Sequence, residues 1–125
     1  MESISPNIFV TDISKTIQFY ELLGFKTTMT VPESGAAVWA MMTQGGVTFM
    51  FQTFESLGND LPEINRNQGG SLLFYIRVTR IRELFEHLQD KVTCLTPLAK
   101  TFYGATEFSI RDLNGYVLTF AEHEA

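Results

Sequence analysis

A weak internal repeat constrains the fold of this chain more than any other feature of its sequence. Residues 10–13 (VTDI) recur as residues 78–81 (VTRI), 68 positions later. Each copy follows an extended apolar segment and precedes apolar residues at helical spacing. Two halves that begin in the same way predict one supersecondary unit built twice.

The two halves predict the same order of elements, one strand, one helix and three strands. Asp12 and Thr79 are the predicted N-caps, and Gly24 is the predicted stop of the first helix. The helical stripes consist of Ile13, Ile17, Tyr20 and Leu23, then Ile81, Leu84, Phe85 and Leu88. The predicted strands cover residues 4–10, 25–31, 36–42 and 47–52, then 72–78, 92–97, 105–111 and 116–122.

The last two strands of the second half are joined by a turn that contains Asn114 and Gly115. A type I turn followed by a left-handed glycine closes a three-residue hairpin and sets the register. The predicted pairs are Arg111 with Val117, Ser109 with Thr119, and Glu107 with Ala121. The alternate residues Phe108, Ile110, Leu118 and Phe120 then share the helix-packed face, as do Val47, Phe49 and Phe51 in the first half.

The final turn glycines, Gly46 and Gly115, are 69 positions apart. If the same offset holds for the strand before the turn, Trp39 corresponds to Phe108. We therefore expect Trp39 to pack between the sheet and the helix of the first half. The fold class predicted is α+β, with two βαβββ modules. Module one covers residues 1–53, a polar linker covers 54–70, and module two covers 71–125.

Composition narrows the class of protein. The length of 125 residues suits one domain, and neither a signal peptide nor an apolar run of membrane-spanning length is readable, so a cytoplasmic location is expected. A net charge of −5 without a basic cluster argues against nucleic acid as a partner. The lone Cys94 is expected to be a buried structural residue.

Several motifs resemble those of the vicinal-oxygen-chelate superfamily, which includes glyoxalases, bleomycin-resistance proteins, ring-cleaving dioxygenases and fosfomycin-modifying enzymes. They are residues 10–13, residues 18–25 (QFYELLGF), Tyr103-Gly104 and residues 107–116 (EFSIRDLNGY). The resemblance implies curved mixed sheets around a cup, and a homodimer. The nearest likeness is to metal-free, bleomycin-resistance-like members.

The resemblance also implies where a divalent metal would bind, on the first and last strands of each module. The corresponding positions are Ser5, Met50, Leu73 and Thr119. None offers imidazole, carboxylate or thiolate, so the site is predicted to hold no metal, and no other cofactor is implied. A different strand register would leave Gln52, Glu107 and Glu122 as alternative oxygen ligands. His87 and His123 are predicted surface residues.

A cup without metal could hold a small molecule. The predicted lining comprises Asn7, Phe9, Met50, Gln52, Tyr75, Arg77, Glu107, Ser109 and Arg111, with Phe102 and Tyr103 on a loop above. This mixture of aromatic, thioether and polar groups is typical of small-molecule sites. Two simpler readings stay open. Arg77 and Glu107 could be a structural ion pair, and Tyr103 could be an interface residue rather than a stacking platform.

The sequence therefore favours a binding protein that sequesters a planar or cationic compound, as antibiotic-resistance relatives do, with no catalytic residue assigned. The alternative is a metal-dependent lyase, isomerase or dioxygenase of the same superfamily. A third reading, metal-independent acid-base chemistry by Glu107 with Tyr75 or Tyr103, lacks a nucleophile and base constellation in the sequence.

Overall fold

The computed structural model describes residues 1–124, which form two compact units, residues 1–68 and residues 69 onward. The elements of unit 1 are β1 (Asn7–Val10), α1 (Ile13–Leu22), β2 (Lys26–Val31), β3 (Trp39–Gln44), β4 (Val47–Thr53) and α2 (Phe54–Leu57). Those of unit 2 are β5 (Leu73–Arg77), α3 (Ile81–Leu88), β6 (Thr93–Lys100), β7 (Ala105–Arg111) and β8 (Val117–His123). The predicted α+β class with two βαβββ modules is confirmed.

Unit 1 is a four-stranded sheet in the order β1-β4-β3-β2, with β1 and β4 parallel and the other pairs antiparallel. Helix α1 begins at the predicted cap, where an Asp12 carboxylate oxygen accepts from the Lys15 backbone N–H at 3.0 Å. The Tyr20 ring of α1 contacts the rings of Phe49 and Phe51. The helix therefore covers the sheet face that carries these two phenylalanines, as predicted.

Unit 2 repeats this topology in the order β5-β8-β7-β6, with β5 and β8 parallel. Phe85 of α3 packs edge to face on Phe108, with ring centroids 5.1 Å apart. Phe108 and Ile110 are fully buried, so the apolar face lies under the helix as the pattern predicted. Every predicted pair between β7 and β8 is confirmed.

The start of α3 differs from the prediction. Thr79 is not the N-cap; that position belongs to Arg80, which has φ +53° and makes no side-chain cap hydrogen bond. The carboxylate of Glu122 accepts from the backbone N–H groups of Arg80 at 3.2 Å and of Ile81 at 3.1 Å instead. A side chain from β8, 41 residues away from Ile81, thus satisfies helix donors that the local sequence leaves open.

The predicted hairpin between β7 and β8 is confirmed. Asp112 is buried, and its carboxylate accepts from the backbone N–H groups of Asn114 and Tyr116 at 2.9 Å each. Gly115 has φ +87°, the left-handed conformation that the turn requires. Asp112 and Asn114 are therefore turn residues.

The expected position of Trp39 is wrong. Trp39 pairs with Gln52, whereas its neighbour Ala40 pairs with Phe51 and is buried in the helix-packed face. The offset between the two units is 69 after the turn but 68 before it, because the two turns have different lengths. Trp39 is thus the counterpart of Glu107 and lies on the sheet face away from α1.

Two smaller expectations concern the burial of Cys94 and of His87. Cys94 is half-buried on β6 rather than fully buried. His87 is exposed on α3, as predicted. Within residues 1–124, no helix has the length and apolar character needed to cross a membrane.

Candidate functional site

The most organised group of polar side chains in unit 2 surrounds Glu107. Alternation along β5 and β7 places Tyr75 and Glu107 on the sheet face opposite α3, and Tyr103 lies on the loop that precedes β7. Tyr75 Oη donates to Glu107 Oε2 at 2.6 Å, and Tyr103 Oη donates to the same oxygen at 2.5 Å. We call Tyr75, Tyr103, Glu107 and His123 the carboxylate cluster.

His123 completes the carboxylate cluster. Its Nε2 lies 2.9 Å from Tyr75 Oη, and the two rings meet edge to face at 6.0 Å. Since the Tyr75 proton is directed to Glu107, His123 Nε2 is the donor in this contact. His123 was predicted to be a simple surface residue. The missed signal was alternation along β8, which puts it on the same face as Thr119 and Ala121.

Hydrogen bonding to Glu107 raises the pKa of Tyr75 and that of Tyr103, and desolvation and the carboxylate charge add to the effect. Both phenols therefore remain protonated near neutral pH and keep donating to Glu107. The Glu107 carboxylate is thus held in one position by two phenols that do not titrate near neutral pH.

The residues next to the carboxylate cluster extend the same face. Ser109 and Thr119 hydroxyls are 2.7 Å apart, across the pair that the register predicted. Phe102 is fully exposed beside Tyr103, with ring centroids 5.1 Å apart. This face combines a fixed anion, hydroxyl groups and exposed aromatic rings.

The ion pair between Arg77 and Glu107, one of the two simpler readings that the sequence left open, is not present among residues 1–124. Arg77 is exposed at the end of β5, and Ala121 of β8 lies between it and Glu107 in the sheet. Glu107 bonds to the two tyrosines in its place. The cluster thus carries a carboxylate without a neutralising cation from the described chain.

Unit 1 has a different surface on the sheet face away from α1. Phe9, Gln52 and Trp39 lie side by side on β1, β4 and β3, and the next row contains Asn7, Met50 and Met41. All six side chains are half-buried. Asn7 Nδ2 donates to Gln52 Oε1 at 3.0 Å. We call these six residues the amide platform.

The four positions that the superfamily resemblance assigns to a metal do not fit one. Met50 belongs to the amide platform, Leu73 is half-exposed and aliphatic, and the Thr119 hydroxyl is engaged with Ser109. Ser5 adds only a further hydroxyl. Such a set lacks the imidazole and carboxylate donors that offset the dehydration of a dication. Within residues 1–124, no three His, Cys, Asp or Glu side chains are grouped to hold a metal ion.

Comparison with known proteins identifies the class to which this fold belongs. The sequence model of the Glyoxalase/Bleomycin resistance protein/Dioxygenase superfamily matches residues 4–120. The chain therefore belongs to this superfamily. No curated protein sequence matches it.

Several solved structures share the fold over nearly all of both chains. TioX from Micromonospora sp. ML1 is 20% identical, with 99% of this chain and 100% of that chain covered and a TM-score of 0.78. A glyoxalase/bleomycin resistance protein/dioxygenase family enzyme from Burkholderia phytofirmans PsJN is 18% identical, with 96% and 97% covered and a TM-score of 0.78. A bleomycin-binding protein complexed with bleomycin is 19% identical, with 99% and 100% covered and a TM-score of 0.66.

Proposed function

We propose that this protein binds and sequesters a planar or cationic small molecule without using a metal. The observation that carries the proposal is the carboxylate cluster of unit 2. Both tyrosine donors contact Glu107 Oε2, and Glu107 Oε1 accepts no hydrogen bond within residues 1–124. A half-buried carboxylate thus keeps one oxygen available for a ligand.

The fixed geometry of Glu107 favours binding because no rotamer freedom of the carboxylate is lost when the ligand arrives. A cationic group or an N–H donor would form a charge-assisted hydrogen bond with Oε1. The net charge of −5 attracts cations to the protein as a whole. The exposed rings of Phe102 and Tyr103 would supply apolar and cation-π contacts beside this anchor.

A metal-dependent lyase, isomerase or dioxygenase is less compatible with the side chains. Polarising two substrate oxygens requires a dication held by several anionic or imidazole ligands. Ser5, Met50, Leu73 and Thr119 supply none of them. The superfamily membership allows this chemistry, but the donor set at these positions does not support it.

One observation supports a second candidate, metal-independent proton transfer. Tyr75 lies between His123 and Glu107 in a continuous chain of hydrogen bonds, an arrangement that could accept a proton from a bound compound at Glu107 Oε1. The two functions differ in the fate of the ligand. Mass spectrometry of the released compound would show it unchanged for a binder and altered for an enzyme.

The proposal is tested by metal analysis followed by a ligand screen. Protein purified after growth in metal-supplemented medium is expected to contain far less than one nickel, zinc or iron per chain. A thermal-shift screen against bleomycin and other cationic antibiotics is then expected to give a rise in melting temperature with at least one, since a ligand specific for the folded state stabilises it. Tightly held stoichiometric metal would contradict the proposal, as would a flat screen across all compounds.

The homodimer implied by the superfamily resemblance is part of the proposal, as is a role in drug resistance. Resistance would follow from sequestration, in which each binding site removes one molecule of compound. Expression in a susceptible bacterial host should then raise tolerance to a ligand found in the screen, in proportion to the amount of protein. Tolerance that is independent of the protein level would contradict this role.

A further inference from the structure

The two oxygens of the Glu107 carboxylate differ in the hydrogen bonds that they accept. Oε2 accepts from Tyr75 Oη at 2.6 Å and from Tyr103 Oη at 2.5 Å, whereas Oε1 accepts none within residues 1–124. A carboxylate oxygen has two lone pairs, so the two phenols fill Oε2. A ligand therefore finds its acceptor at Oε1 alone.

Oε1 is also open to solvent. Among the side chains of residues 1–124 that are not exposed, Asn7 Oδ1 is the only N or O atom that is both shielded from solvent and without a hydrogen-bond partner. Since Glu107 Oε1 has no partner either, it must have exposed surface that a ligand can reach. The raised pKa of Tyr75 and that of Tyr103 keep both phenols protonated near neutral pH, so Oε2 stays occupied there.

A guanidinium and an ammonium group use a carboxylate in different ways. A guanidinium forms its strongest pair as a fork, with one N–H group on each carboxylate oxygen. An ammonium is a compact point charge that can place a single N–H group on one oxygen. With Oε2 filled, the fork is blocked and the single contact at Oε1 is not. The chain's own Arg77 agrees with this rule, because it forms no ion pair with Glu107 although both residues pair with Ala121 of β8.

We propose that Tyr75 and Tyr103 make the carboxylate cluster selective for primary ammonium groups over guanidinium groups. By occupying Oε2, the two tyrosines determine which kind of cation Glu107 can bind as well as where its carboxylate lies. The exposed rings of Phe102 and Tyr103 would contact the carbon skeleton beside the ammonium group. The inference rests on the proposed binding of a cation at Glu107 and names the class of that cation.

A matched pair of probes tests this selectivity. The probes are 2-naphthylmethylamine and (2-naphthylmethyl)guanidine, which carry the same ring and the same positive charge near neutral pH and differ only in the cationic group. Calorimetric titration of the full-length protein is expected to give about tenfold tighter binding of the amine, because the guanidine cannot form the second of its two charge-assisted hydrogen bonds.

Single hydroxyl deletions test the role of the tyrosines. Tyr103→Phe removes one donor from Oε2 and should abolish the preference for the amine, because the guanidine can then form its fork; Tyr75→Phe should act in the same direction. Tyr116→Phe is the matched control, since the Tyr116 ring packs on Phe74 outside the cluster, and it should keep the wild-type preference.

The outcomes separate this inference from the proposed function. Equal affinities for the two probes in the wild-type protein, or a preference for the amine that persists in Tyr103→Phe, would overturn the selectivity while leaving cation binding at Glu107 intact. Binding of neither probe at millimolar concentration would contradict cation binding at Glu107 itself, and the selectivity with it.

Discussion

The properties of the site depend on the surroundings of one residue, Glu107. An exposed carboxylate on a strand would ordinarily be mobile and fully hydrated. Here Tyr75 and Tyr103 hold one oxygen, and His123 orients Tyr75 from the other side. The result is a charged acceptor whose position is set before a ligand arrives, which reduces the ordering cost of binding.

The tyrosines provide a pH test of this arrangement. The pKa of Tyr75 and that of Tyr103 are raised above 10.0, chiefly by the hydrogen bond to Glu107. A raised tyrosine pKa means that the folded protein holds the proton more tightly. The contribution of the protonated tyrosines to the stability of the fold is therefore complete below pH 10 and is lost as the pH rises further.

In an alkaline titration followed by phenolate absorbance at 295 nm, we expect part of the tyrosine signal to appear well above pH 10. Glu107→Gln should move that part to lower pH, because a neutral amide oxygen is a weaker acceptor for the two phenol protons than a carboxylate and carries no charge. Glu86→Gln, an exposed acid on α3, is the matched control and should leave the curve unchanged. Identical curves for wild type and Glu107→Gln would show that the two hydrogen bonds do not hold in solution.

At the residue scale, the sequence predicted most of the features that depend on the alternation of side chains along a strand, namely the sheet face and the cross-strand partner of each residue. The Asn114-Gly115 turn fixes the register of the hairpin, so the positions of Glu107, Ser109 and Thr119 follow from the two-residue period of a strand. The position of Trp39 differs from the prediction because the two turns have different lengths, so a single offset of 69 does not hold on both sides of the turn. The partners of Glu107 could not be predicted, since a hydrogen bond between side chains on different strands leaves no periodic signal.

At the element scale, the start of α3 shows how tertiary contacts replace a local cap. Arg80 adopts φ +53° and contributes no cap hydrogen bond from its side chain, so the first N–H groups depend on Glu122 of β8. The carboxylate also lies at the positive end of the helix dipole. Helix α1, by contrast, is capped locally by Asp12.

Glu122→Ala is expected to destabilise the protein by about 1 to 2 kcal/mol, because two helix N–H groups lose their acceptor. Urea denaturation gives the free energy of unfolding. The neighbouring exposed acid Glu124 supplies the control, and Glu124→Ala should change stability by less than about 0.5 kcal/mol. Equal effects of the two substitutions would mean that Glu122 does not cap α3.

The turn between β7 and β8 gives a second test at this scale. Gly115→Ala forces a side chain into the left-handed region and should cost about 1 to 2 kcal/mol of unfolding free energy. Gly46 in the corresponding turn of unit 1 lacks a positive φ, and a Cβ there meets nothing within 4 Å. Gly46→Ala should therefore be close to neutral. A Gly115→Ala protein as stable as wild type would refute the turn geometry.

The strands and helices were predictable because each has a strong local pattern, and the elements differ from prediction mainly at their ends. Strand β3 begins at Trp39 rather than at residue 36, and β6 continues to Lys100. The cap of α3 was not predictable from Thr79, since its acceptor comes from an element 41 residues away from Ile81. Local sequence carries no information on such a partner.

At the scale of the whole molecule, the same βαβββ topology is built from two different sets of surface residues. The helix-packed faces are alike in being apolar, with Phe51 and Phe120 at equivalent positions. The opposite faces have diverged into the amide platform and the carboxylate cluster. The repeat in the sequence predicted the common topology, whereas the difference in chemistry required the register.

The superfamily resemblance implies a homodimer. Light scattering coupled to size-exclusion chromatography is expected to give twice the chain mass of 14.1 kDa at micromolar concentration. A constant mass of one chain over the same concentration range would contradict the dimer.

The central claim is that Glu107 binds a cationic compound without a metal. It is tested most directly by calorimetric titration of metal-free bleomycin into the protein in the presence of EDTA. We predict saturable binding that becomes at least about tenfold weaker in Glu107→Gln, because the charge-assisted hydrogen bond is lost, and that is unchanged in Glu86→Gln. Binding that requires an added divalent ion, or that is equally strong in the two variants, would contradict the account.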